Sequence, residues 1–125
     1  MVEYYYSLNY LYQSFNNDSE EVFDMVDIYL STIPDIIKKL NLANSNNDIE
    51  SEKRIAHKLK TTFTLFEINE AVDIARSIES GELSSKERKN CLDRLNKIIN
   101  NTFKDLKKEK DNYLKNNNKE KQNRM

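Results

Sequence analysis

The apolar residues of this sequence recur every three or four positions along most of the chain, which is the period of an amphipathic α-helix. The first such run has apolar residues at positions 5, 8, 11, 12 and 15 and predicts a short helix over Tyr4–Ser14. Two asparagines and Asp18 then interrupt the pattern. Asp18 and Glu21 have the spacing of a capping box, so a second helix is expected to begin directly after them.

The second periodic run contains a proline but does not change phase. Pro34 lies among apolar residues that keep spacings of three and four, namely Val22, Val26, Tyr29, Ile33, Ile36 and Leu40. Two separate helices would normally reset the phase at a proline, because the residue before it leaves the helical region. We therefore predict one kinked helix.

Three further helices are predicted downstream, each with a recognisable beginning. Asn47 or Asp48 can cap a third helix that runs to about Phe66. Asn69 can cap a fourth, and Gly81 lies where a left-handed residue would end it. A fifth begins at the capping box of Ser84 and Glu87; its apolar positions are Leu92, Leu95, Ile99, Phe103, Leu106 and Tyr113.

Short links between amphipathic helices favour an antiparallel bundle. The fold class is therefore all-α, an antiparallel four-helix bundle preceded by an accessory helix. The pattern fades after Tyr113 into a polar stretch, which divides the chain into a bundle over residues 1–115 and a frayed tail over residues 116–125.

Composition narrows the possible functions. The chain has 125 residues, the size of one domain, with one Gly and one Pro, too few for an all-β fold or a Gly-rich phosphate loop. Its single cysteine and single histidine cannot build a zinc site, so we expect no metal and no cofactor. A lone cysteine, and a first segment without the basic residues of a secretory signal, favour the cytoplasm.

Charge is distributed unevenly along the sequence. Residues 1–103 carry 12 basic and 17 acidic side chains, whereas residues 104–125 carry 8 and 4. An acidic body argues against nucleic acid as a partner. No stretch approaches the twenty apolar residues of a membrane span, so no membrane association is expected.

The only histidine, His57, is predicted to lie in the middle of the third helix and to face solvent. At about 100° per residue, its face of the helix is polar throughout, with Glu50, Lys53, Arg54, Lys60, Thr61 and Thr64. The opposite face carries Ile55, Leu59, Thr62, Phe63 and Phe66. The cationic surroundings favour a phosphorylated imidazole over a metal-bound one. An idle surface histidine remains an alternative, and a general acid or base would lack a carboxylate partner on the adjacent turns.

Several segments together resemble histidine-containing phosphotransfer (HPt) domains. The stretch Arg54–Lys60 is similar to the family signature Ala-His-x-Leu-Lys. Glu21–Leu40 resembles the family's proline-containing second helix, and Asn44–Glu52 its polar turn before the histidine helix. Ala71–Glu79 resembles a segment that family members end with an acidic residue. The resemblance covers about residues 4–110.

The resemblance implies a phosphocarrier without catalytic activity of its own, in a multistep two-component phosphorelay. His57 would be the phosphoacceptor and Lys60 the lysine beside the phosphate. The partners would be response-regulator receiver domains, a hybrid histidine kinase, or both. We expect the protein itself to be a monomer. Thr61 departs from the family, which usually has a small residue there, so it either contacts the phosphate or alters docking. The alternative is an adaptor that binds a receiver without being phosphorylated.

A docking surface is expected around the histidine. The candidates on the third helix are Lys53, Arg54 and Thr64, and those on the first helix are Leu8, Leu11 and Tyr12. For the apolar residues of the first helix, packing as a lid on the bundle is the alternative.

Overall fold

The computed structural model describes residues 5–123, and their side chains up to Asn117. Within that part the chain forms five helices: α1 (Asn9–Ser14), α2 (Ser19–Ser45), α3 (Ile49–Leu65), α4 (Asn69–Glu79) and α5 (Ser85–Asn123). Helix α3 packs on both α2 and α4, and α5 also packs on these two helices. The four long helices therefore form a bundle in which α3 and α5 are diagonal neighbours, which confirms the predicted all-α class.

Local capping interactions set most of the helix starts. The Asp18 carboxylate accepts hydrogen bonds from the backbone amides of Glu20 (3.0 Å) and Glu21 (3.4 Å), and the Asp48 carboxylate accepts one from the amide of Ser51 (3.1 Å). Ser84 and Glu87 each accept a hydrogen bond from the other's amide at 3.1 Å. These bonds satisfy amides that have no partner within the first turn.

The predicted cap at the start of α4 is wrong. Ile68 occupies the N-cap position without a side-chain hydrogen bond, and Asn69 is the first helical residue. The backbone of Glu67 just before it takes a positive φ of 51°, an uncommon conformation for a residue with a long side chain. The tight turn between α3 and α4 therefore fixes this helix start, and no side-chain cap is needed.

Helix α2 is continuous through Pro34, as the unbroken phase predicted. Its register against α5 is marked by Asn41 and Asn96, whose side-chain amides exchange hydrogen bonds of 3.0 and 3.3 Å. Ile36 was predicted to be one of the core positions of this helix. The neighbouring Ile37 is the buried residue, and Ile36 is half-buried against the core.

The N-terminal segment is a strap followed by a short helix. Helix α1 begins at Asn9, not at Tyr4, and Tyr4 lies outside the described residues. The amide of Ser7 donates a 3.0 Å hydrogen bond to the carbonyl of Phe66, so this backbone is held by the α3–α4 turn instead of by a helix. Leu8 and Leu11 are only 8% and 2% exposed. They are a lid on the core and offer no docking surface, which corrects that expectation.

Tyr12 is half-buried and packs against the same core. At the far end of the chain, the polar stretch after Tyr113 does not end α5, whose backbone remains helical to Asn123. Once a helix is established, each added residue gains a further backbone hydrogen bond, so polar composition alone does not stop it. The side chains of residues 118–123 and the whole of residues 124–125 lie outside the described part, so the division at residue 115 stays a prediction.

A buried ion pair closes one end of the bundle. Glu52 and Arg88 are 1% and 5% exposed, and Arg88 Nε lies 3.0 Å from Glu52 Oε2. The two atoms do not form a hydrogen bond with each other, so the attraction between them is Coulombic. The guanidinium also donates to the Leu83 carbonyl (2.9 Å) and to Asn47 Oδ1 (2.6 Å), while Asn44 Nδ2 donates to Glu52 Oε1 (3.1 Å). The cluster ties the end of α2 to the starts of α3 and α5.

Candidate functional site

His57 lies in the middle of α3 and is exposed over 65% of its side chain. The residues on the opposite face, Leu59, Phe63 and Phe66, are at most 1% exposed and form part of the core. The helical-wheel prediction of an outward-facing histidine on a helix with a buried stripe is therefore confirmed. A rigid helix presents the imidazole to solvent.

A carboxylate from the neighbouring helix holds the imidazole. His57 Nδ1 lies 2.6 Å from Oε1 of Glu79, the last residue of α4. The other carboxylate oxygen, Oε2, accepts a 2.6 Å hydrogen bond from Lys60 Nζ, one turn along α3 from the histidine. One carboxylate thus bridges the two residues that the sequence singled out.

The same contacts determine the charge of Glu79. The hydrogen bond from Lys60, and then that from His57, hold the pKa of the Glu79 carboxyl below its usual range, so it is ionised at neutral pH. An ionised carboxylate can only accept a hydrogen bond, so Nδ1 of the imidazole carries the proton and donates. In the neutral ring Nε2 then has the free lone pair. Among the described residues Nε2 has no hydrogen-bond partner.

The chain's only glycine, Gly81, ends α4 two residues after Glu79. Its φ of +71° is the left-handed conformation predicted for this position. A Cβ placed here would lie 3.1 Å from Lys53 Cδ, so a larger residue would meet both backbone strain and a tight contact. Gly81 therefore allows α4 to stop beside Lys53, with Glu79 in its final turn.

The threonines near the histidine have different surroundings. Thr61 is exposed and its hydroxyl makes no hydrogen bond to any described residue. The Thr64 hydroxyl donates a 2.7 Å hydrogen bond to the Lys60 carbonyl, so it is occupied by the helix backbone. Of these two, Thr61 alone presents an uncommitted hydroxyl on the His57 face.

A shallow depression of about 610 Å³ lies beside His57 toward the start of α3. Lys53, Arg54 and Lys58 contribute its basic lining, and half-buried Ile55 contributes an apolar patch. Lys53 lies 3.8 Å from Glu50, and Arg54 donates a 3.0 Å hydrogen bond to the Ser51 hydroxyl. The structure therefore brings the predicted residues Lys53 and Arg54 together with the histidine, while Leu8 and Leu11 remain in the core.

Glu79 is the site residue that the spacing argument missed. The expectation that His57 lacks a carboxylate partner held only for the adjacent turns of its own helix; the partner comes from α4, 22 residues later. Helical periodicity relates residues within one helix and cannot show which residue of another helix lies opposite. The available signal was the family resemblance, which marked the acidic end of Ala71–Glu79 without indicating its contact.

Two further features are absent from the described residues. There, no three His, Cys, Asp or Glu side chains converge as a metal site would require. Across the same residues no helix is long and apolar enough to cross a membrane.

Comparison with known proteins places these residues in a family. The Hpt domain profile matches residues 24–106, which is more than half of the chain and includes His57, Lys60 and Glu79. Searches among curated proteins and among solved structures gave no match. Hpt domains serve phosphotransfer in phosphorelay signalling and interact with receiver domains and histidine kinases. With a match of this extent over the helices that carry the histidine site, the chain belongs to the Hpt domain family.

Proposed function

We propose that this protein is a phosphocarrier that accepts a phosphoryl group on His57 from a receiver aspartate and donates it to another. The observation that carries the proposal is the exposed imidazole whose Nδ1 is held at 2.6 Å by the Glu79 carboxylate. Such an imidazole is a nucleophile oriented by a third group, with its second nitrogen open to an incoming reactant.

In the proposed step, the Nε2 lone pair attacks the phosphorus of an aspartyl phosphate. The bond from phosphorus to Nε2 forms, the bond from phosphorus to the aspartate oxygen breaks, and the aspartate carboxylate leaves with that electron pair. Nδ1 keeps its proton, so the phosphorylated ring gains a positive charge, which the ionised Glu79 stabilises. The reverse sequence returns the phosphoryl group to the next aspartate.

Lys60 supplies countercharge in this proposal. Its ammonium is held by Glu79 Oε2 one turn from His57 on the same face of α3. Positioning and charge neutralisation are the main requirements of phosphoryl transfer. A phosphoryl group on Nε2 would offer Lys60 a second anionic partner, and the ammonium can reach it by rotating its flexible side chain.

The remaining chemistry belongs to the partner. A receiver domain brings its own magnesium ion, lysine and aspartate, so the carrier needs no independent catalytic activity and no cofactor. We place the protein in the cytoplasm, acting as a monomer on receiver domains or on the receiver of a hybrid histidine kinase.

One observation favours a second candidate, a receiver-binding adaptor that is not phosphorylated. Thr61 is exposed one turn from His57, at the position where the family usually has a small residue. Its branched side chain occupies surface that a docking receiver would otherwise use, so binding without transfer is the alternative outcome.

The test is transfer from phosphorylated receiver domains of the source genome, each loaded with an acyl phosphate and Mg²⁺. The wild type should acquire a phosphate that is labile in acid and stable in base, and His57→Gln should acquire none. Lys97→Gln, which changes an exposed residue of α5, serves as the control and should behave like the wild type. If no receiver labels the wild type but one binds it stably, the adaptor function replaces the carrier function.

A further inference from the structure

The depression beside His57 is lined by three basic side chains, Lys53, Arg54 and Lys58, and by two carboxylates, Glu50 and Glu79. Lys60 is paired with Glu79, and Lys53 lies 3.8 Å from Glu50. Arg54 and Lys58 are exposed and form no direct ion pair with a described carboxylate; Arg54 reaches Asp48 only through the Ser51 hydroxyl. Around the nucleophile the surface is therefore locally cationic, although residues 1–103 carry five more acidic than basic side chains.

The same depression contains one apolar contact point. Ile55 lines it, lies between the charged residues in sequence, and is half-buried against the core. Because its inner side is packed on the bundle, Ile55 is fixed in position and presents a small apolar surface. The depression therefore combines one apolar contact with charged side chains, and protein interfaces also combine apolar and charged groups.

The exposed large apolar residues of the described part, Tyr10, Ile28, Leu42 and Leu114, lie outside this depression. Ile28 and Leu42 of α2 are 53% and 62% exposed but lie fourteen residues apart, and neither belongs to the depression that includes His57. Leu8 and Leu11 are buried. A partner that occupies the depression beside His57 therefore contacts Arg54, Lys58 and Ile55.

We infer that the receiver docks on this face through an acidic segment that carries one apolar side chain. Its carboxylates would face Arg54 and Lys58, and its apolar side chain would lie on Ile55. This inference rests on the proposed function, and it specifies the partner's chemistry: among receivers, the protein selects those whose surface beside the phosphorylated aspartate is acidic. The same positive field attracts the dianionic phosphoryl group itself.

Charge reversal tests the inference, with Arg54→Glu/Lys58→Glu as the test variant and Lys97→Glu as the matched control. Lys97 is exposed on α5, diagonally across the bundle from α3. For the receiver that binds or transfers best, the double variant should lower the association rate at low salt about tenfold, because rim charges act mainly on association. The association rate of the double variant should also depend less on salt concentration than that of the wild type. The Lys97→Glu variant should match the wild type in both respects.

Binding is measured to the unphosphorylated receiver by stopped flow, using His57→Gln as the background, so the result does not depend on transfer. Circular dichroism confirms that the helices are intact. Equal association rates and equal salt dependence for the two charge variants would overturn the electrostatic docking. Absence of label on wild-type His57, with the predicted salt dependence retained, would instead refute the carrier function and leave the docking surface standing.

Discussion

Removing Arg88 should destabilise the bundle far more than removing an exposed arginine in a better-formed ion pair. Arg88→Ala deletes the guanidinium that faces Glu52, leaving a carboxylate that is 1% exposed with only the Asn44 amide as a hydrogen-bond donor. It also removes the bonds to the Leu83 carbonyl and to Asn47. The matched control is Arg94→Ala: Arg94 makes two hydrogen bonds to Glu70, at 3.0 and 2.9 Å, but both side chains are 44–45% exposed.

The magnitude follows from burial. Leaving one partner of a buried pair without its countercharge costs about 3–5 kcal/mol of unfolding free energy. Domains of ordinary stability have only about 5–15 kcal/mol in total. For a chain of this size, a loss of that order lowers the melting temperature by roughly 10–20 °C. The Arg94 pair is solvated on both sides, so its removal should shift the melting temperature far less.

Urea denaturation followed by circular dichroism measures both losses. A second substitution separates the unpaired charge from simple loss of packing. Glu52→Gln should destabilise the wild type but stabilise the Arg88→Ala variant, because in that variant it removes a buried charge while the amide oxygen can still accept from Asn44. If Glu52→Gln destabilises both backgrounds equally, or if Arg88→Ala costs no more than Arg94→Ala, the explanation by a buried unpaired charge is refuted.

Three further predictions concern the site. Lys60→Ala should leave the helix content unchanged and slow transfer or shorten the lifetime of phosphohistidine; unaltered kinetics would contradict its role as countercharge. Thr61→Gly should cost about 0.3 kcal/mol of stability and, in a carrier, raise the transfer rate, whereas a partner shaped around Thr61 should bind the variant less well. The lowered pKa of Glu79 stabilises the folded state above the ordinary value near 4.5, and this contribution is lost as the pH falls through the lowered value. Glu79→Gln should therefore be less stable than the wild type at pH 7 and nearer to it at pH 3 in urea titrations.

The sequence predicted features that depend on neighbouring residues. The caps at Asp18, Asp48 and Ser84 involve amides within three residues, so spacing alone was informative. The exposure of His57 followed from helical phase, because its helix has one strongly apolar face. The single helix across Pro34 was found in the same way.

The features that were missed depend on contacts between distant segments. Tyr5–Leu8 has helical spacing, yet the amide of Ser7 is bound by Phe66, almost sixty residues away, and no local pattern records that. The burial of Glu52 was not predicted either, because its partner Arg88 is on α5. The bridge from His57 to Glu79 likewise required the packing of α3 against α4.

Pro34 has a consequence for how the bundle opens. It has no amide hydrogen, so the hydrogen-bond ladder of α2 is interrupted there, whereas α3 has no such residue between Ile49 and Leu65. In native-state hydrogen exchange, we expect the amides of α2 on the two sides of Pro34 to exchange as separate cooperative units. The amides around His57 should exchange only through opening of the whole core, so a partner meets a surface that is already ordered before contact.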